Sequence, residues 1–477
     1  MRIGFYAVGF IACAFASAEE VSLDVAIARL ESGNHSLQAE SEHVKAAEEE
    51  RDASRGHFMP VVKVEVSAQH LDRDLVMNLD AIREGMQMMT MSTAQTLAQM
   101  QGADAKTQQA AALNAANQFD AKMPHFLDTM LTQNNWLGAL TVYQPLFYGG
   151  KIYAGWKAAQ AREKTVRADR DKQLSDLRRD FSRLYVQASI LRASIHLRRE
   201  ALDAMEKHRE HATNLVAQGM TDRTALLRAE IALADGHTAL SDDSTKLESI
   251  ALTLAQMSGA SDRIYPADNL GLPPQAPASL DKLEANAVAN HPLLASINAK
   301  AELADRAIDA HRADYMPEIG AYGQYQFNQH AMETMVQPKW VVGVKATMDL
   351  FNGGTDYHGH EAALATRRQV LDMRDEVSSA LKALVDRQSM ALEQARLRYQ
   401  NLGRQEDLAK ENHRVTLSRF DQGQSTSLEV VDAWLGLEKV QLERVASAGD
   451  AWIALLELEW ACGSTNDFTT TWKGARS

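Results

Sequence analysis

The chain repeats itself, and that repeat limits its fold more than anything else in the sequence. Trp136 opens a run ending Gln144-Pro145-Leu146-Phe147-Tyr148-Gly149-Gly150, and Trp340 opens one ending Met348-Asp349-Leu350-Phe351-Asn352-Gly353-Gly354, an offset of 204 (340 − 136). Without a gap, the same offset carries Gly219 onto Gly423, Ala229 onto Ala433 and Gly259 onto Gly463. Upstream, Asn34-His35-Ser36-Leu37 leads to Phe58-Met59-Pro60, and Asn290-His291-Pro292-Leu293 leads to Tyr315-Met316-Pro317, with one slip. Two repeats, 19–259 and 280–463, are thus joined by a linker over 260–279, rich in proline and small residues from Asp262 to Ala278, and followed by a tail, 464–477.

Each repeat reads helix, strand, strand, long helix, turn, helix. After the first Gly-Gly, Leu174, Leu177, Phe181, Leu184, Ala188, Leu191 and Ile195 alternate spacings of three and four. Leu381, Val385, Gln388, Leu392, Ala395, Tyr399 and Leu402 do so in the second copy, which predicts coiled-coil seams. Lys151 to about Ala217 predicts a helix roughly 100 Å long, against roughly 50 Å for Ser22 to His57 and roughly 55 Å for Thr221 to Ser258. One long helix is matched by two shorter ones, which makes a helical wall rather than a globule.

Strands are expected after Pro60, Trp136, Pro317 and Trp340. Trp340, Val342, Val344 and Ala346 alternate with Val341, Gly343, Lys345 and Thr347; Ile319, Ala321, Tyr325 and Phe327 alternate with Gly320, Tyr322, Gln324 and Gln326. A half-buried soluble strand alternates in this way, and so does a lipid-facing barrel strand with terminal aromatics. Four strands cannot close a barrel, and an open sheet in lipid leaves backbone groups unpaired, so a membrane reading requires a barrel shared between chains, with eight strands in a dimer or twelve in a trimer.

Residues 1–18 read as a secretory leader: Arg2, an apolar run Ile3 to Phe15, then Ala16-Ser17-Ala18 before Glu19-Glu20. Cys13 as a lipid-attachment site is the rival reading, opposed by the poor fit of Phe10-Ile11-Ala12 to a lipobox. Without the leader the net charge is near −14, one below the −13 of the whole chain, which argues against nucleic-acid binding. Cys462 is then the sole cysteine, so stability must come from packing or assembly. No later segment is apolar enough for a spanning helix. Aromatic content of only 6%, with Ala-, Leu-, Glu-, Arg- and Gln-rich stretches, suits long helices over an α/β enzyme.

On the paired Trp…Pro-Leu-Phe-Tyr-Gly-Gly and Trp…Asp-Leu-Phe-Asn-Gly-Gly runs, and the turns Ala217-Gln218-Gly219 and Asp421-Gln422-Gly423, the chain resembles the TolC family of outer-membrane efflux and secretion ducts. The resemblance implies a mainly α fold with a membrane β-barrel, a homotrimer sharing twelve strands in outer-membrane lipid, and a twelve-helix periplasmic tunnel. It also implies a periplasmic adaptor (membrane fusion protein) and an inner-membrane pump as partners, with passage of drug, metal or protein cargo by efflux or type I secretion. The alternative is a soluble periplasmic coiled-coil adaptor or scaffold, which explains the helices and leader but not the paired strands.

Within the resemblance, Gly219, Thr221, Phe420, Gly423 and Ser425 fall at the periplasmic tip that meets the adaptor, with Thr221 and Ser425 as candidate N-caps. Glu429 and Asp432 align with pore-facing acidic positions and lie one turn apart, so three chains would stack two acidic rings; a solvated acidic face is the plainer reading. Phe420 replaces a frequent tyrosine and Ser425 a latching arginine. Ala225 and Arg228 stand at the equivalents of Glu429 and Asp432, which places Arg228 as a candidate gate partner of Asp432. Gly149, Gly150, Gly353 and Gly354 are expected to turn strand into helix.

The first hairpin carries an excess of 53 residues (76 from Pro60 to Trp136 against 23 from Pro317 to Trp340), placed over 71–135 and holding Met77, Met86, Met88, Met89, Met91, Met100, Met123 and Met130. Thioether capture of soft metal is one reading; a helical cap whose methionines pack is favoured, because no cysteine and few histidines accompany them. His358-Gly359-His360-Glu361 and His208-Arg209-Glu210-His211 read as solvated histidines on polar helices, not metal ligands. Neither a nucleophile–base pair nor a phosphate loop is present, so no catalysis and no cofactor are expected.

Overall fold

The computed structural model describes residues 19–125, 127–219, 221–268, 270–274, 279–327 and 338–474, so the leader expected over 1–18 lies outside the described residues. In chain order the first repeat holds β1 (Glu19–Val21), α1 (Leu23–Gly33), α2 (His35–Arg55), β2 (Val61–His70), β3 (Leu75–Asn78), α3 (Asp80–Met100), α4 (Ala105–Lys122), β4 (Leu127–Leu131), β5 (Asn134–Tyr148), α5 (Lys151–Ala217) and α6 (Arg223–Ser258). After β6 (Ile264–Pro266) the second repeat holds α7 (Leu280–Asn290), α8 (Pro292–Ala313), β7 (Glu318–Phe327), β8 (Trp340–Thr347), α9 (Thr355–Asp421) and α10 (Ser427–Ala461), with α11 (Thr465–Gly474) in the tail. Two compact units result: one of helices, built from residues up to Asp52, Lys157–Ile308 and from His360 on, and one around a sheet, built from Ala53–Trp156 and Asp309–Gly359.

The long helices α5 and α9 are both 67 residues and start 204 residues apart, in the register set by the glycine pairs. Gly149, Gly150, Gly353 and Gly354 all have positive φ, between 59° and 87°, a region costly for residues with a Cβ. In the second copy the expected seam is confirmed, with Leu381, Val385, Leu392, Ala395 and Leu402 buried. In the first, Phe181, Ala188 and Ile195 are buried while Leu174, Leu177, Leu184 and Leu191 are half-buried. A second buried line of Ser175, Ser182 and Ser189 runs beside them.

The single helix predicted before each strand pair is two. Asn34 breaks the first: its side-chain oxygen accepts from Leu37 N–H at 3.0 Å and its amide donates to Met257 O at 2.7 Å. His291 breaks the second, accepting from Leu293 N–H through Nδ1 at 3.1 Å. Because α1 and α7 each have 11 residues, Asn34 is equivalent to His291 and the upstream offset is a constant 257; the slip read from Asn34 and Asn290 is not present. Each break seats on the end of the second short helix of its repeat. A Cβ on Gly33 would stand 2.1 Å from Ser258 O, and one on Gly463 would stand 2.5 Å from Asn290 O.

The helical core gathers Phe181, Tyr185, Leu254, Trp452, Leu455, Phe468 and Trp472. Linker and tail pack against it. β6 pairs parallel with β1, and Asp268 of the linker accepts from Trp472 Nε1 at 2.7 Å and from Leu23 N–H at 3.3 Å, with Tyr185 Oη 2.9 Å away.

The sheet has the order β2-β5-β7-β8, antiparallel throughout. Residues directly opposite share a face, so the register assigns the faces. Val62, Val64 and Val66 stand opposite Val142, Leu140 and Gly138; those stand opposite Gly323, Tyr325 and Phe327; Gly323 and Tyr325 stand opposite Val342 and Trp340. One face is therefore apolar from edge to edge, with Trp136, Phe327, Tyr325 and Trp340 at one end. The other carries Lys63, Glu65, Ser67, Thr141, Gln324, Gln326 and Lys345. The insertion is an antiparallel pair, α3 and α4, on a small β3–β4 ladder; it leaves the four-stranded register intact except that Asn134 and Asn135 belong to β5.

Candidate functional site

The two turns that end α5 and α9 lie side by side in the helical unit. At the second, Gly423 N–H donates to Phe420 O at 2.9 Å and Gln424 N–H to Arg419 O at 2.8 Å, with Gly423 at φ 71°. That pair of bonds closes a helix with a left-handed glycine. Gly219 repeats the conformation at φ 70°. The returning helices are capped one residue later than expected. Asp222, not Thr221, accepts from Thr224 N–H, and Thr426, not Ser425, caps α10. Thr426 Oγ1 accepts from Glu429 N–H at 3.3 Å, and Glu429 Oε2 accepts from Thr426 N–H at 3.2 Å, a reciprocal capping box. The Ser425 hydroxyl donates to the same carboxylate oxygen. That hydrogen bond, then the Thr426 N–H, holds the Glu429 carboxyl below its usual range.

Glu429 and Asp432 are both exposed, on the face of α10 that also shows Leu428 and Leu435. The opposite face, Ser427, Val430, Val431, Trp434 and Glu438, is buried. Arg228 is exposed, and among the described residues it makes no ion pair with Asp432 within the chain. Instead it lies between two hollows. One, of about 440 Å³, is lined by Thr221, Asp222, Phe420, Gly423 and Ser425; the other, of about 370 Å³, is an apolar groove between α6 and α10 lined by Ile231, Ala232, Val431, Trp434 and Leu435. Trp434 is fixed in the groove floor by Nε1–H donating to Ala201 O at 3.1 Å. At the rim, Arg198 holds Asp243 and Glu438, each at 2.8 Å; burial raises the Glu438 carboxyl against the pull of that arginine.

His208 is only 5% exposed, contrary to the solvated reading. Its ring packs on Phe420 at 5.0 Å, with His211 on the same phenyl at 5.8 Å. Nε2 lies 3.1 Å from Ser427 Oγ, whose own proton goes to Ala225 O at 3.2 Å. Ser427 is therefore the acceptor, His208 is the neutral Nε2–H tautomer, and its buried Nδ1 has no partner. Burial, then His211 and His413, push its pKa down to about 4, against Asp421. The signal was present: Leu202, Met205, His208 and Ala212 continue one buried stripe at spacings of three and four. His358, by contrast, is exposed as expected. Among the described residues no group of three or more His, Cys, Asp or Glu side chains is arranged to hold a metal, and no helix is long and apolar enough to cross a membrane.

Residues 130–260 and 283–464 match the sequence profile of the family described as outer membrane efflux protein. No curated protein gives a significant sequence match. Among solved structures, the CmeC outer membrane channel of Campylobacter jejuni is 12% identical with a TM-score of 0.72, covering 100% of this chain and 98% of its own. The outer membrane protein VceC of Vibrio cholerae is 15% identical at 0.70, covering 92% and 96%. The open-state MtrE outer membrane channel of Neisseria gonorrhoeae is 16% identical at 0.67, covering 93% and 89%. At such identities the likeness is one of fold: helical tunnel and β-barrel.

Proposed function

Since this chain belongs to the outer membrane efflux protein family, a Gram-negative outer-membrane protein and not an enzyme, we propose that three copies form one passive duct of a tripartite efflux or type I secretion system. The observation that carries this reading is the four-stranded sheet, apolar across one face and, among the described residues, unpaired along β2 and β8. A soluble adaptor has no use for such a face, and in lipid those edges must find partners. The β8 of one copy pairs with the β2 of the next, and twelve strands close the barrel. The apolar groove beside Trp434 and the paired turns offer a periplasmic adaptor its docking surface, through which an inner-membrane pump delivers cargo.

Glu429 and Asp432 then stack as two acidic rings at the constriction. Ion-selective pores use such rings, and close carboxylates attract cations. Mass measurement in mild detergent should give a trimer; a stable monomer with folded strands would overturn the assembly. In planar bilayers the trimer should be cation-selective and blocked by divalent cations. The Glu429→Ala/Asp432→Ala double variant should lose the block while still assembling; an unchanged block would place both carboxylates outside the lumen.

A further inference from the structure

The insertion half-buries one face of α3 and leaves a second apolar stripe exposed, with nothing covering it among the described residues. Arg83, Gln87, Met91, Ala94 and Ala98 face α4, where Ala112 and Ala116 are buried. Ile82, Met86, Met89, Thr93, Thr96 and Met100 follow one another at spacings of four, three, four, three and four, a strict heptad seam. All six are exposed, Met89 to 74% and Met100 to 83%. The threonine hydroxyls do not interrupt the stripe. Thr93 donates back to Met89 O and Thr96 to Ser92 O, both at 2.7 Å, which leaves their methyl groups outward.

We propose that this stripe docks on the same stripe of neighbouring copies, so that three α3 helices form a parallel coiled coil on the molecular axis. The inference rests on the shared-barrel reading above. Three features select a second copy as the occupant. The seam keeps the 3.5-residue period for about 27 Å, a period that only another supercoiled helix matches. From Gly85 to Met100 the helix carries no charge, and a surface that meets its own copies places any charge against its like. The insertion also grows from β2, an open edge that only another copy's β8 completes, so copies are already held side by side where α3 begins.

The test is cross-linking in full-length trimers purified in mild detergent. Met89→Cys and Thr93→Cys sit in the seam, and Gln95→Cys sits on the opposite exposed face; buried Cys462 stays as the unreactive internal thiol. A short bis-maleimide should join seam cysteines between chains with at least about ten-fold more product than Gln95→Cys. Two seam positions are used so that one failing to fold leaves the other as the probe. Trimers in which seam cysteines react freely with a monofunctional maleimide but do not cross-link would show an uncovered stripe and overturn the inference while the duct stands. Seam cysteines shielded yet uncross-linked would mean another occupant, and equally overturn it. Absence of trimers in the unaltered protein would instead defeat the assembly on which both depend.

Discussion

At neutral pH His208 donates its one N–H to Ser427 and keeps a bare, buried Nδ1. Protonating Nδ1 creates a buried cation with an unpartnered donor, among Lys207, His211 and His413, with Asp421 the opposing charge that lines that hollow among the described residues. In the folded turn the pKa is about 4, against 6.5 for the free side chain. The unfolded turn therefore takes up the proton first. The stabilising contribution is complete above pH 6.5 and disappears as the pH falls towards 4; at pH 5 about 2 kcal/mol per chain has been lost. Amide exchange across 414–432, corrected for intrinsic rates, should therefore show protection falling about twenty-fold between pH 7 and pH 5. His208→Asn keeps a neutral donor for Ser427 and should flatten the profile. Equal protection at both pH values in the wild type, or an unchanged decline in the variant, would refute the reasoning.

His291, whose pKa burial also pushes down to about 4, should behave alike at the α7–α8 break. His291→Asn installs the residue used at the equivalent Asn34 and should narrow the difference in melting temperature between pH 7 and pH 5. Gly423→Ala meets open space but keeps a left-handed backbone, so it should cost about 1–2 kcal/mol by chemical denaturation. Gly33→Ala would drive a Cβ into the Ser258 carbonyl and should prevent folding of that repeat end, read as loss of the cooperative transition. Removing 74–132 with a short linker should leave detergent-stable trimers, because the β2–β5 register from Asn134 onward does not use the segment; loss of all folded protein would contradict this.

Much of this architecture was legible because the chain states it twice. The glycine pairs fixed where α5 and α9 begin, and the positions after Pro60, Trp136, Pro317 and Trp340 fixed the four strands. What escaped reading was polar. Asn34 and His291 break helices through side-chain bonds to nearby backbone, inside a hydrophobic pattern that continues past them. The serines at 175, 182 and 189 form a buried line that a count of apolar residues passes over. Asp222 and Thr426 cap where Thr221 and Ser425 stood ready, since adjacent hydroxyl and carboxylate residues compete for one role and only the loop path decides. His208 was misread because its flanks, Lys207 and Arg209, are charged, although its own position falls on the buried stripe.

The two open strands of the sheet are unlike one another, β2 at one side and β8 at the other. A joint between unlike edges can be extended in one direction only, and growth ends when the last chain meets the first. A chain whose β8 edge is blocked, for instance by Val344→Pro, still offers a sound β2. In the shared barrel proposed above it would be accepted into a growing ring and then prevent that ring from closing. With normal and blocked chains drawn equally, about one three-membered ring in eight contains no blocked chain. Lesions on these outer strands should therefore be genetically dominant, silencing most of the normal copies made beside them.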